Sequence, residues 1–248
     1  MAGHSKWANI KHRKGANDVK RAKYFNKLIR EISAAVKQGG SSLDANPRLR
    51  LAIQNAKGAN MPKETIERAM HKGAGGDGQE YNSVVYEGNG PNGSAIIVEC
   101  MTDNLNRTVA GIRAAFSKYG GSLGKHGSVS FMFTRKGVFT IKNSVIDDEE
   151  AFTLAVIEAG AESMDIEEGY FYLTCSLANF GALQTKLEAL HIEPTEASLQ
   201  YIPHTYIELG DEDFIKFMKL LEVLEYNDEV QKVYHNLMIH DQQLNLLS

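Results

Sequence analysis

GVFTIKNSVIDDEEAFTLAVIEAGAESMDIEEGYFYLTC, residues 137–175, decides the fold. It opens on a strand pattern at Gly137–Ile141. A helix follows over Asp148–Ala159, with the acidic run Asp147-Asp148-Glu149-Glu150 at its start, where carboxylates favour the positive end of the helix dipole. Strands come next around Met164–Ile166 and over Tyr170–Cys175, with Glu167-Glu168 at the turn between them. Continuing outward, Leu177–Leu190 predicts a helix and Glu193–Leu199 a strand. Residues 137–199 therefore read β-α-β-β-α-β, the split βαβ or ferredoxin-like order.

Upstream, Val84–Glu87 and Ala95–Met101 predict a strand pair, Thr108–Tyr119 a helix, and Val129–Phe133 a further strand after the Gly-rich turn YGGSLGKHGS. This unit lacks the second half of a sandwich. Downstream, Tyr201–Glu208, Glu212–Leu224 and Val230–Tyr234 predict a strand, a helix and a strand that can supply it. The expected organisation is an α+β multidomain protein: a helical domain over 1–76, a discontinuous α+β domain from 80–134 plus 201–240, and a ferredoxin-like α+β domain over 135–200 inserted into it.

The first 75 residues are different in kind. Asp18 to about Lys37 has Ala22, Phe25, Leu28, Ile29, Ile32 and Val36 at helical spacing. Lys20, Lys23, Lys27 and Arg30 fall on the opposite side. Asn46-Pro47 caps and opens a second helix, and Met61-Pro62 precedes a third. Three amphipathic helices can bury a common face. GAGGDGQ, Gly73–Gln79, reads as a linker. Its G-x-G-x-x-G match follows a helix rather than a strand, so it is no dinucleotide cradle. Gly88, Gly90 and Gly93 repeat that match between two strands and read as hairpin-turn chemistry.

Charge separates the same regions. Residues 1–75 hold 16 Lys and Arg against 5 Asp and Glu, net +11, although the whole 248-residue chain is −4. The remainder is therefore −15. Such asymmetry points to nucleic-acid contact. The opening arm mixes cations, an aromatic and an amide: Lys6, Trp7, Asn9, Lys11, His12, Arg13 and Lys14. Cations bind phosphate, and Trp7 can stack on a base. The row Lys20, Lys23, Lys27 and Arg30 is spaced to track a phosphate backbone, with Arg21 beside it.

Catalytic signatures are missing from the sequence. No zinc spacing, nucleophile elbow or Walker A motif is present, and the reading is a non-enzyme. Cys100 and Cys175 sit in separate apolar runs as buried structural thiols. No apolar run approaches a membrane span of roughly 20 residues, and no secretory signal follows the basic start. The cytoplasm is the expected compartment.

AGHSKWANIKHRKGANDVKRAK, NPRLRLAIQNAKGANMP and ETIERAMHKGAGG resemble the YebC/PmpR family, as do VVYEGNGPNG, TDNLNRT, GGSLGKHGSVSFMF and VQKVYHN. The resemblance covers nearly the whole chain. It implies a helical domain and two α+β domains, no cofactor and a cytoplasmic protein. Bacterial members are described as DNA-binding transcriptional regulators. Mitochondrial relatives are translational activators, and some bacterial members are linked to the ribosome. The resemblance carries nucleic-acid contact onto Lys6, Lys11, Arg13, Lys14, Lys20, Arg21, Lys23 and Arg30. Leu105 departs from it, standing where the motif usually has a basic residue. Two readings result: a DNA-binding transcriptional regulator, or a translation factor whose basic end lies on ribosomal RNA. Either leaves the acidic domains for partner contacts or homodimer formation.

Overall fold

A computed structural model of the chain describes residues 4–5, 18–75 and 81–247. In chain order its elements begin with β1 His4–Ser5, α1 Asp18–Gly39, α2 Pro47–Gly58 and α3 Lys63–Ala74. The next are β2 Asn82–Asn89, β3 Ala95–Thr102, α4 Leu105–Lys118, β4 Ser122–Leu123 and β5 Phe133–Lys142. Then come α5 Glu149–Glu158, β6 Ala161–Glu167, β7 Tyr170–Cys175, α6 Phe180–Ala189 and β8 Glu196–Pro203. The chain closes with α7 Asp211–Tyr226, β9 Val230–His235, β10 Ile239–His240 and α8 Asp241–Leu244. Among the described residues there are two compact units, one drawn from 1–27, 79–134 and 201–248, the other from 28–78 and 135–200.

The second unit contains the ferredoxin-like sheet, ordered β6-β7-β5-β8. Numbered along the chain and read from the β8 edge this is 4-1-3-2, as the β-α-β-β-α-β pattern requires. Alternate residues Phe139 and Ile141 of β5, and Phe171, Leu173 and Cys175 of β7, face one core. Phe152 and Val156 of α5 and Leu183 and Leu187 of α6, each pair four residues apart, close it. Burying each such large apolar side chain contributes about 1.5–3 kcal/mol. Asp148 caps α5 by accepting the Ala151 N–H at 2.9 Å, so the acidic run serves the helix start. Glu168 and Gly169, with φ of 46° and 80°, turn β6 into β7.

The same unit holds most of the helical region. Asn46 is buried and does three jobs: its Oδ1 accepts the Leu49 N–H at 3.0 Å, and its Nδ2 donates to Ala35 O and Gly40 O, both at 2.8 Å. One amide thus starts α2 and ends α1. Asn55 then docks α2 on the edge strand β8. Its Nδ2 donates to Ala197 O and its Oδ1 accepts the Ala197 N–H, both at 2.8 Å. The side chain occupies the hydrogen-bonding place of a neighbouring strand. Contact there is close enough that a Cβ on Gly58 would lie 2.1 Å from Thr195 O.

The first unit contains a four-stranded sheet ordered β4-β2-β3-β9, each neighbouring pair antiparallel. The β2–β3 hairpin turns through Pro91–Gly93, in accord with the Gly-rich turn reading. It occupies the centre, with β4 outside β2 and β9 outside β3, a connectivity that begins with the hairpin. Ile96, Val98 and Cys100 face α4 and α7, through Ile112, Phe116, Phe214 and Phe217 among others. Ala95 and Ile97 face Val129, Phe133 and Tyr234 on the other side. Both faces of β3 are buried, which is why it reads as a continuous apolar run.

Two boundaries differ from the sequence reading. Val129–Phe133 is not a separate strand: Ser130–Met132 is a 3-10 turn, and one strand runs from Phe133 to Lys142. The N–H groups of Val129 and Ser130, at the start of the turn, are claimed by the Glu87 side chain. The two strands expected at 193–199 and 201–208 are one, Glu196–Pro203. Gln200 resembles a break but is buried, its Nε2 donating to Ser198 Oγ at 3.0 Å.

Asn55→Ala removes both hydrogen bonds to Ala197 and leaves a strand edge partly buried without partners. A loss of about 2 kcal/mol is expected, read as a lower urea midpoint with an unchanged slope.

Candidate nucleic-acid interface

Of the eleven residues assigned to nucleic acid from sequence, Lys6, Trp7, Lys11, His12, Arg13 and Lys14 lie outside the described residues. Lys20 lies in α1, with its side chain outside them. Arg21 is exposed, its guanidinium 5.3 Å from the Phe25 ring centre. Arg30 is half-buried.

Lys23 and Lys27 have an intramolecular role. The Lys23 Nζ donates to Tyr226 O at 2.7 Å and to Asp228 Oδ1 at 2.9 Å, and lies 3.5 Å from the Tyr226 ring centre. The Lys27 Nζ donates to Glu225 O at 2.8 Å. Both cations therefore sit on the carbonyl end of α7, where the helix dipole is negative. A signal for this was present in the sequence. The last turn of α7 carries no basic residue of its own, so its carbonyls call for a cation from elsewhere. Exposed cations on the described helices include Lys37, Arg50, Lys57, Lys63, Arg68 and Lys72.

The segments VVYEGNGPNG and GGSLGKHGSVSFMF meet at one carboxylate. Glu87 on β2 is 1% exposed at its side chain. Its Oε1 accepts the Gly127 N–H at 2.8 Å, and its Oε2 accepts those of Val129 and Ser130 at 2.9 and 2.8 Å. The His126 Nδ1 lies 3.2 Å from Oε1. Gly127 adopts φ +85°, a conformation that favours glycine, to present its N–H. Burial pushes the Glu87 carboxyl up, but the three backbone donors and Ser130 outweigh it and hold it below its ordinary value.

TDNLNRT is joined to the closing segment in the same manner. Asn104 caps α4 by accepting the Arg107 N–H at 3.0 Å. Glu229 accepts from Thr102 Oγ1 at 3.1 Å, from Thr108 Oγ1 at 2.7 Å and from the Arg107 guanidinium. Burial pushes this carboxyl up too; Thr108, Arg107 and Thr102 bring it below its ordinary value. The motif's polar groups thus build a helix start, while Leu105 projects outward, 47% exposed.

Both cysteines are buried and free. Burial, chiefly, pushes Cys100 up to about 12 and Cys175 to about 11, so neither is a thiolate near neutrality. His235 is buried, its Nδ1 accepting the Leu237 N–H at 3.2 Å, and His240 Nε2 lies 3.2 Å from Glu208 Oε1. Among the described residues no group of three or more His, Cys, Asp or Glu is placed to hold a metal ion, and no helix is long and apolar enough to cross a membrane.

A helical N-terminal region followed by two antiparallel four-stranded α+β layers, the later one inserted into the earlier, defines the class of protein. The chain belongs to the TACO1/YebC family: residues 5–76 match the TACO1/YebC protein N-terminal domain, and residues 81–237 match the TACO1/YebC second and third domain. It is 66% identical over 239 residues to a protein of Amoebophilus asiaticus named "Probable transcriptional regulatory protein", covering 96% of this chain and 98% of that one. A protein of Tolumonas auensis with the same name is 49% identical over 244 residues, 98% of each chain. A crystal structure of a conserved hypothetical protein from Aquifex aeolicus has a TM-score of 0.83 at 40% identity, covering 94% of this chain and 96% of that one.

Glu87→Gln replaces one acceptor oxygen with an NH2 that faces backbone donors. At pH 7 it is expected to lower stability by about 2–3 kcal/mol. Because the folded carboxyl is held below its ordinary value, its contribution is complete above the unfolded pKa of about 4.3 and is lost as pH falls through the lower folded value. Urea unfolding at pH 7 and in strong acid should show the gap between wild type and Glu87→Gln narrowing in acid.

Proposed function

We propose that this protein is a nucleic-acid-binding regulatory protein, a DNA-binding transcriptional regulator that works in the cytoplasm and docks its basic N-terminal region on phosphates. The observation that carries the reading is the net +11 of residues 1–75 against −15 for the rest. Attraction to a polyanion is then carried chiefly by the first 75 residues. The names of the relatives agree with a regulatory role. No catalytic step and no cofactor enters this function.

The charge argument serves ribosomal RNA as well as DNA. One observation favours that second reading, a translation factor on the ribosome: the exposed ring of Phe131 beside a backbone held by Glu87, since ribosomal RNA offers unpaired bases.

Lys11→Glu, Arg13→Glu and Lys14→Glu together should abolish binding to a labelled duplex, with circular dichroism and thermal midpoint unchanged. Lys23 stays as it is in this variant, because its ammonium holds the end of α7. For the wild type, six phosphate contacts would give a slope of log K against log salt near −5. Unchanged binding by the folded triple variant rejects the arm as the contact surface. Crosslinking in cells, followed by sequencing of attached DNA and RNA, separates the two readings: a few promoter sites on one side, ribosomal RNA on the other.

A further inference from the structure

The loop held by Glu87 presents an unusual surface. Phe131 is 72% exposed, the most open of the large exposed apolar side chains in the described residues. Its neighbours in sequence are anchored: Val129 is buried on one side and Phe133 on the other. The Met132 N–H closes the turn on Val129 O at 2.9 Å, and the Ser130 N–H is held by Glu87. Phe131 is therefore outward because the backbone on either side leaves it no other direction. Flexibility is not the cause.

A second exposed ring belongs to the same loop. His126, 90% exposed at its side chain, touches the same carboxylate that holds Ser130. Both residues are within hydrogen-bonding reach of Glu87, one through each oxygen. Lys125 precedes His126 on the same turn and is exposed. One buried carboxylate thus fixes the backbone beside a bare phenyl ring and touches an exposed imidazole, on a loop that also carries the exposed Lys125.

We propose that this loop is a stacking platform for unpaired bases of single-stranded nucleic acid, with Phe131 as the stacking ring and Lys125 and His126 facing the adjoining phosphate. The inference rests on the nucleic-acid reading above and deepens it by naming the form of strand. A phenyl ring offers nothing to a paired base, whose faces are already stacked inside the helix. It accepts any unstacked base, since every base has an apolar face. An exposed aromatic beside a cation is the chemistry shared by proteins that hold single strands. An apolar protein partner would be served by a broader patch. Ahead of the ring in sequence the exposed loop is Gly124, Lys125, His126 and Gly127, which carries two basic side chains and no large apolar one.

The test uses the full chain and fluorescence anisotropy, with a labelled 12-nucleotide RNA as a single strand and as a duplex. Phe131→Ala should weaken single-strand binding about 5- to 100-fold, the range for losing one base stack. Duplex binding and its salt slope should stay unchanged. Phe131→Tyr should bind as wild type does, and Phe131→Leu should bind as weakly as the alanine variant. An unchanged urea midpoint for Phe131→Ala, at a site this exposed, excludes unfolding as the cause. If Phe131→Ala or Phe131→Leu holds the single strand as wild type does, while the Lys11, Arg13 and Lys14 charge reversal still loses it, the platform is rejected and the basic-end reading stands. If wild type binds neither strand nor duplex, both fall.

Discussion

A carboxylate with almost no access to water fixes a loop of the first unit, residues 124–130, that has no regular secondary structure to hold it. Burying an ion is costly unless hydrogen bonds replace its hydration. Glu87 obtains three from backbone N–H groups, and the cost of its burial is the reason those groups cannot drift away. The dependence runs both ways. Without Glu87 the N–H groups of Gly127, Val129 and Ser130 would have to find acceptors in a loop that offers few. Glu229 repeats the solution at the start of α4, with two hydroxyls and a guanidinium in place of backbone. In this fold buried acids act as joints: each ties two stretches of chain far apart in sequence, and each is itself held ionised by what it ties.

Much of the architecture was legible before any coordinates. Period-two runs in β5 and β7 and the i, i+4 pairs of α5 and α6 are signals of the core itself, and the β-α-β-β-α-β order of residues 137–199 is legible from its elements. What could not be read was decided by polar groups acting at a distance. Residues 129–133 have the composition of a strand, yet an acid on β2 takes the Val129 and Ser130 N–H groups out of any ladder. Gln200 has the character of a loop residue, yet it is buried beside Ser198 and the strand passes through it. Pattern reading averages over neighbours in sequence, and these residues answer to neighbours forty or more positions away or to burial on an unseen face.

The basic end teaches a related lesson about charge. Counting cations locates the electrostatic asymmetry, and the count survives inspection. Assigning each cation a phosphate does not follow from the count. Lys23 and Lys27 lie on the polar side of α1 as the helical spacing requires, yet their ammonium groups are engaged by the carbonyl end of α7. A cation on a helix face has at least two classes of acceptor open to it, an external polyanion and the unsatisfied carbonyls of another helix. Arg48 chose a third, chelating Glu31 through Nε at 2.8 Å and Nη2 at 3.1 Å.

The order of strands in the first sheet has a consequence for how the chain is made. Ile96 of β3 pairs with His235 of β9, so as the polypeptide leaves the ribosome one side of an apolar strand, AIIVECMT, waits for a partner that does not yet exist. At 5–20 residues per second the wait is on the order of ten seconds. During it an intact sequence can assemble in the gap, since residues 28–78 and 135–200 form one compact unit, and Asn55, 142 residues ahead of Ala197, has already emerged. The newborn protein therefore passes through a stage with one finished body and one half-built sheet whose open edge is its most adhesive surface. Nascent-chain quality control will meet that intermediate in every copy synthesised.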